Sequence, residues 1–513
     1  MKLPEDCIRE ILEHLSEDRI TLYSCLITNR TYCQFVVPIL WRNPWPTYNS
    51  LTYELERIYW KILGKTIIKC LSLETKQKLS RQYNINLNPS LLQNPLFNYV
   101  SYIQVIPVGV INQLIRNNFE QVINYNGEQL EQIFNKEFWS LFIKQCKIKS
   151  LEIPNFNIFE YPESKFYLSS LSILKIFISY PKEMFIELSK NVHTLKRIEI
   201  FLIYIYEDTN NDIENLIISQ KNLKEINFMF IAGQKFIFNN KKSIDYLSNS
   251  LKILELCSCI CLSANTISSF INLTELKIFY HTSLYHEEGI KILSNVFLPK
   301  LEILSLVNVK GEHLSIFIKL IENTKGSLKI LYIHIQKSSP IPSSSLSSID
   351  HYFNVIKSTC PNIEVLPVWL ISIFYLKNFE DLLISCPKIR KIIIHFKSIS
   401  TSNNFIPHID TVLAKPILIL LTLKSSILLN NIHLIGRWSF SSLDLQEFFE
   451  SWKEMKRRPL KFVFNNNIYS HYIIRVCEYY HQQGVIKKGT INYTTPCTYY
   501  DDVRTTTMDI LTL

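Results

Sequence analysis

The pattern that indicates the fold is clearest in Leu251-Lys252-Ile253-Leu254-Glu255-Leu256, and it recurs soon afterwards in Leu273-Thr274-Glu275-Leu276-Lys277-Ile278. In both, an aliphatic residue is followed three positions later by a second aliphatic residue and two positions after that by a third. The pattern occurs ten times between residues 148 and 394, with 22 to 35 residues from one start to the next. The copies begin at Ile148, Leu171, Leu195, Leu223, Leu251, Leu273, Leu301, Leu328, Ile363 and Ile389. Ten copies at such steps indicate a repeat architecture.

Helical patterns fill the intervals between the copies. One apolar helix face comprises Leu314, Phe317, Ile318 and Ile321, and another comprises Ile349, Tyr352, Phe353 and Ile356. Cys360-Pro361 and Cys386-Pro387 look like helix ends, because proline cannot continue a helix. Since the last aliphatic positions of each copy alternate as in a strand, each repeat is predicted to be one strand and one helix. Near the end of the chain, Tyr472, Val476 and Tyr479 predict a closing helix that stops at Gly484.

The repeat resembles the leucine-rich repeat, L-x-x-L-x-L. This resemblance implies an α/β fold in which strands and helices stack into a solenoid with a curved parallel sheet. One repeat cannot bury its apolar face alone, so stacked neighbours supply the core. We assign residues 147–488 to an irregular leucine-rich-repeat solenoid with a C-terminal cap, and 489–513 to a loose tail. The natural use of such a solenoid is a broad protein-binding surface.

The repeat register also predicts which side chains face away from the helices. The residues between the aliphatic positions point outward, since strand side chains alternate. One outward column, with Glu199, Asn227 and Ser305, is polar and suits a solvated face. The neighbouring column is largely apolar, and four of its members are candidate substrate-binding residues: Phe201, Met229, Phe279 and Val307. The alternative is that the strands end earlier and these side chains turn under a loop.

The first forty-five residues have a separate helical pattern. Ile8, Ile11, Leu12 and Leu15 form one stripe of an amphipathic helix. Pro4 suits the start of that helix, because its missing N–H costs nothing there. Later apolar groups end in Pro38-Ile39-Leu40-Trp41. So short a segment rarely builds an independent core, so it is expected to pack against a partner or the rest of the chain.

This segment resembles the F-box, through Leu3-Pro4-x-x-x-Ile8-x-x-Ile11-Leu12-x-x-Leu15, Leu22-x-x-Cys25-Leu26 and the closing Pro38 to Trp41. The resemblance implies docking to the Skp-type adaptor of a cullin–RING (SCF-type) ubiquitin ligase by helix-in-groove contacts. The implied adaptor-binding residues are Leu3, Pro4, Ile8, Ile11, Leu12, Leu15, Leu26, Leu40 and Trp41. The alternative is that the same stripe caps the following domain. We assign residues 1–45 to this module and 46–146 to a helical linker region.

Together these resemblances predict a substrate-recognition subunit of an SCF-type ligase, with an unknown protein as its substrate. The alternative is a leucine-rich-repeat scaffold without a role in degradation. Ubiquitin transfer would be done by other subunits, so we predict neither catalytic residues nor a cofactor. Cys257-x-Cys259-x-Cys261 invites a metal interpretation, but the register sends Cys257 and Cys259 to opposite faces, so no metal site is predicted.

Composition restricts the remaining classes. Apolar residues make up 47% of the 513 residues, which excludes wholesale disorder. The net charge of +10 is mild and the basic residues are scattered, so no nucleic-acid partner is predicted. The longest apolar stretches, 368–376 and 417–423, fall short of the roughly 20 residues that span a bilayer, so no membrane partner is predicted either. The 12 cysteines show no disulfide framework, which favours the cytoplasm or nucleus.

Overall fold

The computed structural model describes most of the chain. The described residues are 4–46, 53–83, 87–107, 109–153, 157–177, 182–202, 209–230, 241–257, 262–280, 290–336, 346–396, 409–436, 438, 440–464 and 471–487. They fall into two compact units, Met1–Ile226 and Asn227–Leu513, and the boundary lies within one strand, β5 (Glu225–Phe230). The predicted tail, 489–513, lies outside the described residues.

The first unit begins with helices and continues as strand–helix repeats. Its helices are α1 (Glu5–His14), α2 (Arg19–Leu26), α3 (Arg30–Leu40), α4 (Tyr53–Lys69), α5 (Leu73–Tyr83), α6 (Pro89–Leu92), α7 (Val110–Gln145), α8 (Ser164–Leu168), α9 (Lys182–Asn191) and α10 (Thr209–Ile218). Its strands are β1 (Val105–Ile106), β2 (Ser150–Glu152), β3 (Ile173–Phe177) and β4 (Arg197–Leu202), followed by the start of β5. Strands β1 to β4 pair in chain order and all pairs are parallel.

The second unit consists of strand–helix repeats in its described part. Its strands are β6 (Ile253–Cys257), β7 (Glu275–Phe279), β8 (Ile303–Val309), β9 (Ile330–Ile335), β10 (Val365–Leu370), β11 (Lys391–Phe396), β12 (Asn431–Ile435) and β13 (Lys461–Phe464). Its helices are α11 (Lys241–Ser250), α12 (Ala264–Ser269), α13 (Leu314–Glu322), α14 (Leu346–Thr359), α15 (Tyr375–Ser385), α16 (Ile409–Leu423), α17 (Ser442–Glu454) and α18 (His471–Gln482). Strands β6 to β13 pair in chain order and in parallel.

The aliphatic repeat positions form the core, as the sequence predicts. In all ten copies, each of the three side chains is no more than 2% exposed. The pairing aligns equivalent positions, so that Leu254 lies opposite Leu276 and Leu276 lies opposite Leu304. Each buried Leu or Ile contributes roughly 1.5–3 kcal/mol relative to an exposed one, so this alignment stabilises the stack. The predicted α/β strand–helix architecture with a parallel sheet is confirmed.

Two strands, β1 and β12, were not predicted. Both carry the repeat spacing, in Ile103-x-x-Ile106 and Leu429-x-x-Ile432-x-Leu434. They stand 45 and 40 residues from the nearest predicted copy because the long helices α7 and α16 lie in between. Strand β1 lies within the range predicted as a helical linker and pairs with β2. Repeat pairing in the first unit therefore begins before residue 147.

The predicted closing helix is present as α18, but its buried face is not the one that contains Tyr472 and Tyr479. Tyr472 is 69% exposed and Tyr479 is 51% exposed, whereas Ile473, Cys477 and Tyr480 are buried. Tyr480 packs against Phe449 at 5.2 Å between ring centroids. The sequence alone does not decide between the two faces, because apolar residues follow each other in pairs along this helix. The helix does end near Gly484, whose φ of +71° is a conformation that glycine adopts easily.

Candidate protein-docking site

The first three helices form a small core of their own. Leu12, Leu22, Val36 and Ile39 are buried together, from 0% to 6% exposed. Two side chains define where helices begin: Asp18 accepts a hydrogen bond from the Thr21 amide (3.1 Å) before α2, and Asn29 accepts one from the Tyr32 amide (2.9 Å) before α3. The chain after α3 then packs against the rest of the first unit.

Most of the predicted adaptor-binding residues contribute to this core. Ile8, Leu15, Leu26 and Leu40 are half-buried and pack against it. Leu12 is only 2% exposed, so its side chain is not available to a partner in this structure. This corrects the expectation for Leu12: because three short helices have few apolar side chains to bury, the inner stripe of α1 is used within the module.

The remaining predicted residues differ in exposure. Pro4 is exposed just before α1, and Ile11 is 52% exposed on the outer side of that helix. Trp41 is half-buried and its ring lies 4.5 Å from that of Tyr99, so it also packs within the first unit. Leu3 lies outside the described residues.

Helix α2 carries an exposed apolar surface that was not predicted from the sequence. Ile20 is 81%, Tyr23 49% and Ile27 88% exposed. They lie at i, i+3 and i+7 and therefore share one face of α2 and the residue that follows it. We call these three residues the α2 stripe. The spacing is visible in the sequence, but α2 also carries Leu22 and Leu26 on its other side, so the sequence did not show which face is buried.

Contacts after α3 fix the three helices to the first unit. The Trp45 indole N–H donates to the Val105 carbonyl at 2.6 Å, and the Gln104 amide donates to the Arg42 carbonyl at 2.9 Å. The Trp45 ring stacks on Trp60 of α4 at 6.1 Å between centroids and meets Phe142 edge-on at 6.3 Å. Because Trp45 is only 4% exposed, it holds the module against α4, α7 and β1.

An ion pair connects α1 to the same segment. The Arg42 guanidinium donates to both Glu13 carboxylate oxygens, at 2.7 and 2.5 Å. The hydrogen bond from Arg42 lowers the pKa of Glu13 and correspondingly raises the pKa of Arg42. Such bidentate pairs are stronger and geometrically more specific than single hydrogen bonds. The pair is about one-third exposed, so its main effect is to orient α1.

The predicted apolar column on the strands is mostly covered. In the first unit, Phe201 is half-buried and stacks on Phe177 at 4.7 Å between centroids. In the second unit, Val307 is 2% exposed and clusters with Tyr332 and Ile393, with Phe279 packed alongside. Met229 is also half-buried. Val307 is thus not available to a substrate in this structure, because the larger rings on the neighbouring strands flank it.

The three named residues of the polar column are buried rather than solvated. Glu199, Asn227 and Ser305 are only 3% to 6% exposed. In the first unit, Glu199 forms ion pairs with Lys175 at 3.0 Å and with Arg197 at 2.8 Å. Opposite charges on the same strand (Arg197) and on the adjacent strand (Lys175) compensate the carboxylate, and this explains how it is tolerated within the sheet.

The described cysteines and acidic residues do not assemble into a recognisable metal centre. Within the described ranges, no group of three His, Cys, Asp or Glu side chains is placed to hold a metal ion. Cys259 and Cys261 lie outside the described residues. Burial raises the pKa of Cys386 and of Cys477 to about 12, so these thiols are poor nucleophiles at neutral pH. In the part of the chain that the structure describes, no helix combines the length and apolarity needed to cross a membrane.

Comparisons with known proteins give no family assignment. No protein-family model matches the chain, and no curated protein sequence matches it. Similar solved structures include the TLR13–ssRNA13 complex (15% identity, TM-score 0.31), the leucine-rich repeat-containing protein LegL7 from Legionella pneumophila (10%, 0.30) and the Rad7 and Elc1 complex in yeast (12%, 0.30). The matches cover 63%, 66% and 79% of this chain and 40%, 98% and 96% of those chains. The match to TLR13 thus spans less than half of that protein. Similarity at these TM-scores does not indicate a function for this chain.

Proposed function

We propose that this protein is the substrate-recognition subunit of an SCF-type cullin–RING ubiquitin ligase. Its first three helices bind a Skp-type adaptor, and its repeats bind a target protein. The observation that carries the proposal is the α2 stripe, an exposed apolar surface on a module whose own core is already complete. The F-box-like pattern of residues 3–41 supports the choice of partner.

The α2 stripe supports docking because its two isoleucines are not buried in the core of the module. Ile20 and Ile27 are more than 80% exposed, although many polar residues would suit these positions. Burying an aliphatic side chain of this size contributes roughly 1.5–3 kcal/mol, which is available to a partner that covers it. An apolar stripe on one face of a short helix is the usual form of helix-in-groove recognition. Ile11 of α1 and Pro4, which precedes that helix, supply further exposed apolar surface in the same module.

The repeats supply a rigid support for target binding. Strands β1 to β4 pair in chain order in the first unit and strands β6 to β13 in the second, and the helices between the strands bury their apolar faces. In this proposal the chain is not itself an enzyme. It raises the local concentration of a target lysine near the charged ubiquitin carrier, in the cytoplasm or nucleus, and other subunits perform the transfer.

A binding measurement tests the adaptor contact. The double substitution Ile20→Asp/Ile27→Asp places two charges in the α2 stripe and is expected to weaken binding of a purified Skp-type adaptor by at least 100-fold. The matched control is Phe374→Asp/Ile427→Asp, at residues of the second unit that are 86% and 67% exposed. Circular dichroism checks that both variants are folded. Equal adaptor affinity for the wild type and the Ile20/Ile27 variant would show that the α2 stripe is not the docking surface.

A second experiment separates a ligase receptor from a scaffold. Cells expressing the Ile20→Asp/Ile27→Asp variant in place of the wild type retain the repeats but lose the adaptor contact. A receptor role predicts that one or more repeat-bound proteins accumulate and carry less ubiquitin, as measured by quantitative mass spectrometry of immunoprecipitates. Unchanged abundance and ubiquitination of every bound protein would favour the scaffold without a role in degradation.

A further inference from the structure

Helix α4 has apolar side chains on two opposite faces. One face is buried in the first unit, with Trp60, Leu63 and Ile67 at 5% exposure or less. On the other side, Leu55 is 52%, Ile58 54% and Ile62 63% exposed. These three residues lie at i, i+3 and i+7, so they form a second stripe along the helix. We call them the α4 stripe. An ordinary surface helix has polar residues on its outer face. The exposed apolar residues of α4 therefore indicate a surface that a binding partner covers.

The α4 stripe adjoins the helix that carries the α2 stripe. Arg19, at the start of α2, donates to the Asn43 carbonyl at 2.6 Å, and the Tyr59 hydroxyl of α4 donates to the Pro44 carbonyl at 2.8 Å. Each of the two helices therefore donates a hydrogen bond to one of two consecutive carbonyl groups. Burial raises the pKa of Tyr59, and the nearby Tyr23 of the α2 stripe raises it further. The hydrogen bonds of Arg19 and Tyr59 thus place the start of α2 and the first half of α4 at adjacent residues of the segment after α3.

Basic residues border the α4 stripe on one side. Arg57, Lys61 and Lys65 are exposed and lie at i, i+4 and i+8, so they form a row next to Ile58 and Ile62. An apolar stripe beside a basic row suits a partner surface that combines apolar side chains with carboxylates. The charges would speed association and set orientation, while the apolar contact would supply most of the affinity.

We propose that the adaptor subunit contacts the α4 stripe as well as the α2 stripe, and places acidic side chains opposite Lys61 and Lys65. This inference rests on the proposed function, because it assigns the same partner to both surfaces. It extends the docking surface beyond the three N-terminal helices to residues 55–65. The contact joins the adaptor to a helix packed in the first unit, and so restricts the orientation of the first repeats relative to the ligase.

Binding of a purified Skp-type adaptor to the full chain tests the inference. Ile58→Asp/Ile62→Asp is expected to raise the Kd at least tenfold. The matched control Ile271→Asp/Ile384→Asp changes isoleucines of similar exposure, 51% and 57%, in the second unit and is expected to leave the Kd unchanged. Lys61→Glu/Lys65→Glu removes no apolar contact. It is expected to lower the association rate about threefold or more at low salt, with the difference disappearing at high salt.

The outcomes distinguish this inference from the proposed function. If Ile58→Asp/Ile62→Asp binds like the wild type while Ile20→Asp/Ile27→Asp does not bind, the α4 contact is refuted and the adaptor assignment stands. If the wild type does not bind the adaptor at all, both are refuted. Circular dichroism and the urea midpoint verify folding of each variant. Should Ile58→Asp/Ile62→Asp misfold, Ile58→Ser and Lys61→Glu/Lys65→Glu give the same decision.

Discussion

Replacement of Trp45 tests how the N-terminal module is held in place. Trp45 is 4% exposed, donates one hydrogen bond to Val105 and contacts the rings of Trp60 and Phe142. Trp45→Ala removes a fully buried ring, which costs about 3–5 kcal/mol. It also leaves the Val105 carbonyl without its indole donor, which adds about 1 kcal/mol. We therefore expect a loss of about 4–6 kcal/mol in the stability of the contact between the module and the rest of the first unit.

Trp45→Phe separates ring burial from the hydrogen bond. It keeps most of the packing but loses the N–H donor and roughly 40 Å² of apolar area, which corresponds to about 1 kcal/mol of transfer free energy and about 1 kcal/mol of hydrogen bonding. The expected loss is about 2 kcal/mol. Trp41→Ala is the control, because Trp41 is half-buried with one ring neighbour, and it should cost about 1–2 kcal/mol.

Native-state hydrogen exchange is the appropriate assay, since a chain with two compact units does not guarantee a single unfolding transition. Each variant should decrease the opening free energies of amides in α3 and α4. The decrease should be smallest for Trp41→Ala, larger for Trp45→Phe and largest for Trp45→Ala. Equal losses for Trp45→Phe and Trp45→Ala would mean that the hydrogen bond, not ring burial, holds the module. Unchanged exchange in α3 for all variants would refute the reasoning.

Three further predictions concern the ion pairs and one buried hydroxyl. Glu13→Gln should lower the free energy of unfolding by less than about 1 kcal/mol at pH 7, because the pair with Arg42 is partly exposed. The pKa of Glu13 is lowered on folding, so the pair stabilises the protein above the ordinary carboxylate pKa of about 4.3. In urea titrations at lower pH, the stability difference between the wild type and the variant should therefore vanish. Glu199→Gln should lower the free energy of unfolding of the first unit by about 1–3 kcal/mol in urea titrations, because Lys175 and Arg197 then face a neutral group and, among the described residues, Arg197 keeps only the Glu225 carboxylate at 2.8 Å. Unchanged stability would show that the ion pairs of Glu199 contribute nothing net. Tyr352→Phe should destabilise the second unit by about 1–2 kcal/mol, because the buried Tyr352 hydroxyl donates to the Pro367 carbonyl at 2.6 Å and the variant lacks this donor. A higher melting temperature of the variant would contradict this prediction.

The repeat fold was largely predictable because its determinants are local. The spacing of each strand copy, such as Leu301, Leu304 and Leu306, specifies both the strand and its inner face. The helix face beginning at Leu314 is likewise buried as predicted. The docking surface was less predictable. Ile11 and Leu12 are adjacent in the same apolar pattern, yet one is exposed and the other is buried, because the arrangement of three helices decides which side of α1 faces inward.

Hydrophobic spacing was sufficient to predict the strand–helix alternation, because it acts within a few residues and stacked copies reinforce it. Which apolar residues remain exposed became clear only from the packed fold. Val307 is covered by side chains from strands that lie up to 86 residues further along the chain, whereas Ile27 and Ile62 are left uncovered. Exposure depends on all neighbours at once, and most of those neighbours are distant in sequence. The candidate docking surface therefore emerged from the packing of helices α1 to α4, not from any motif.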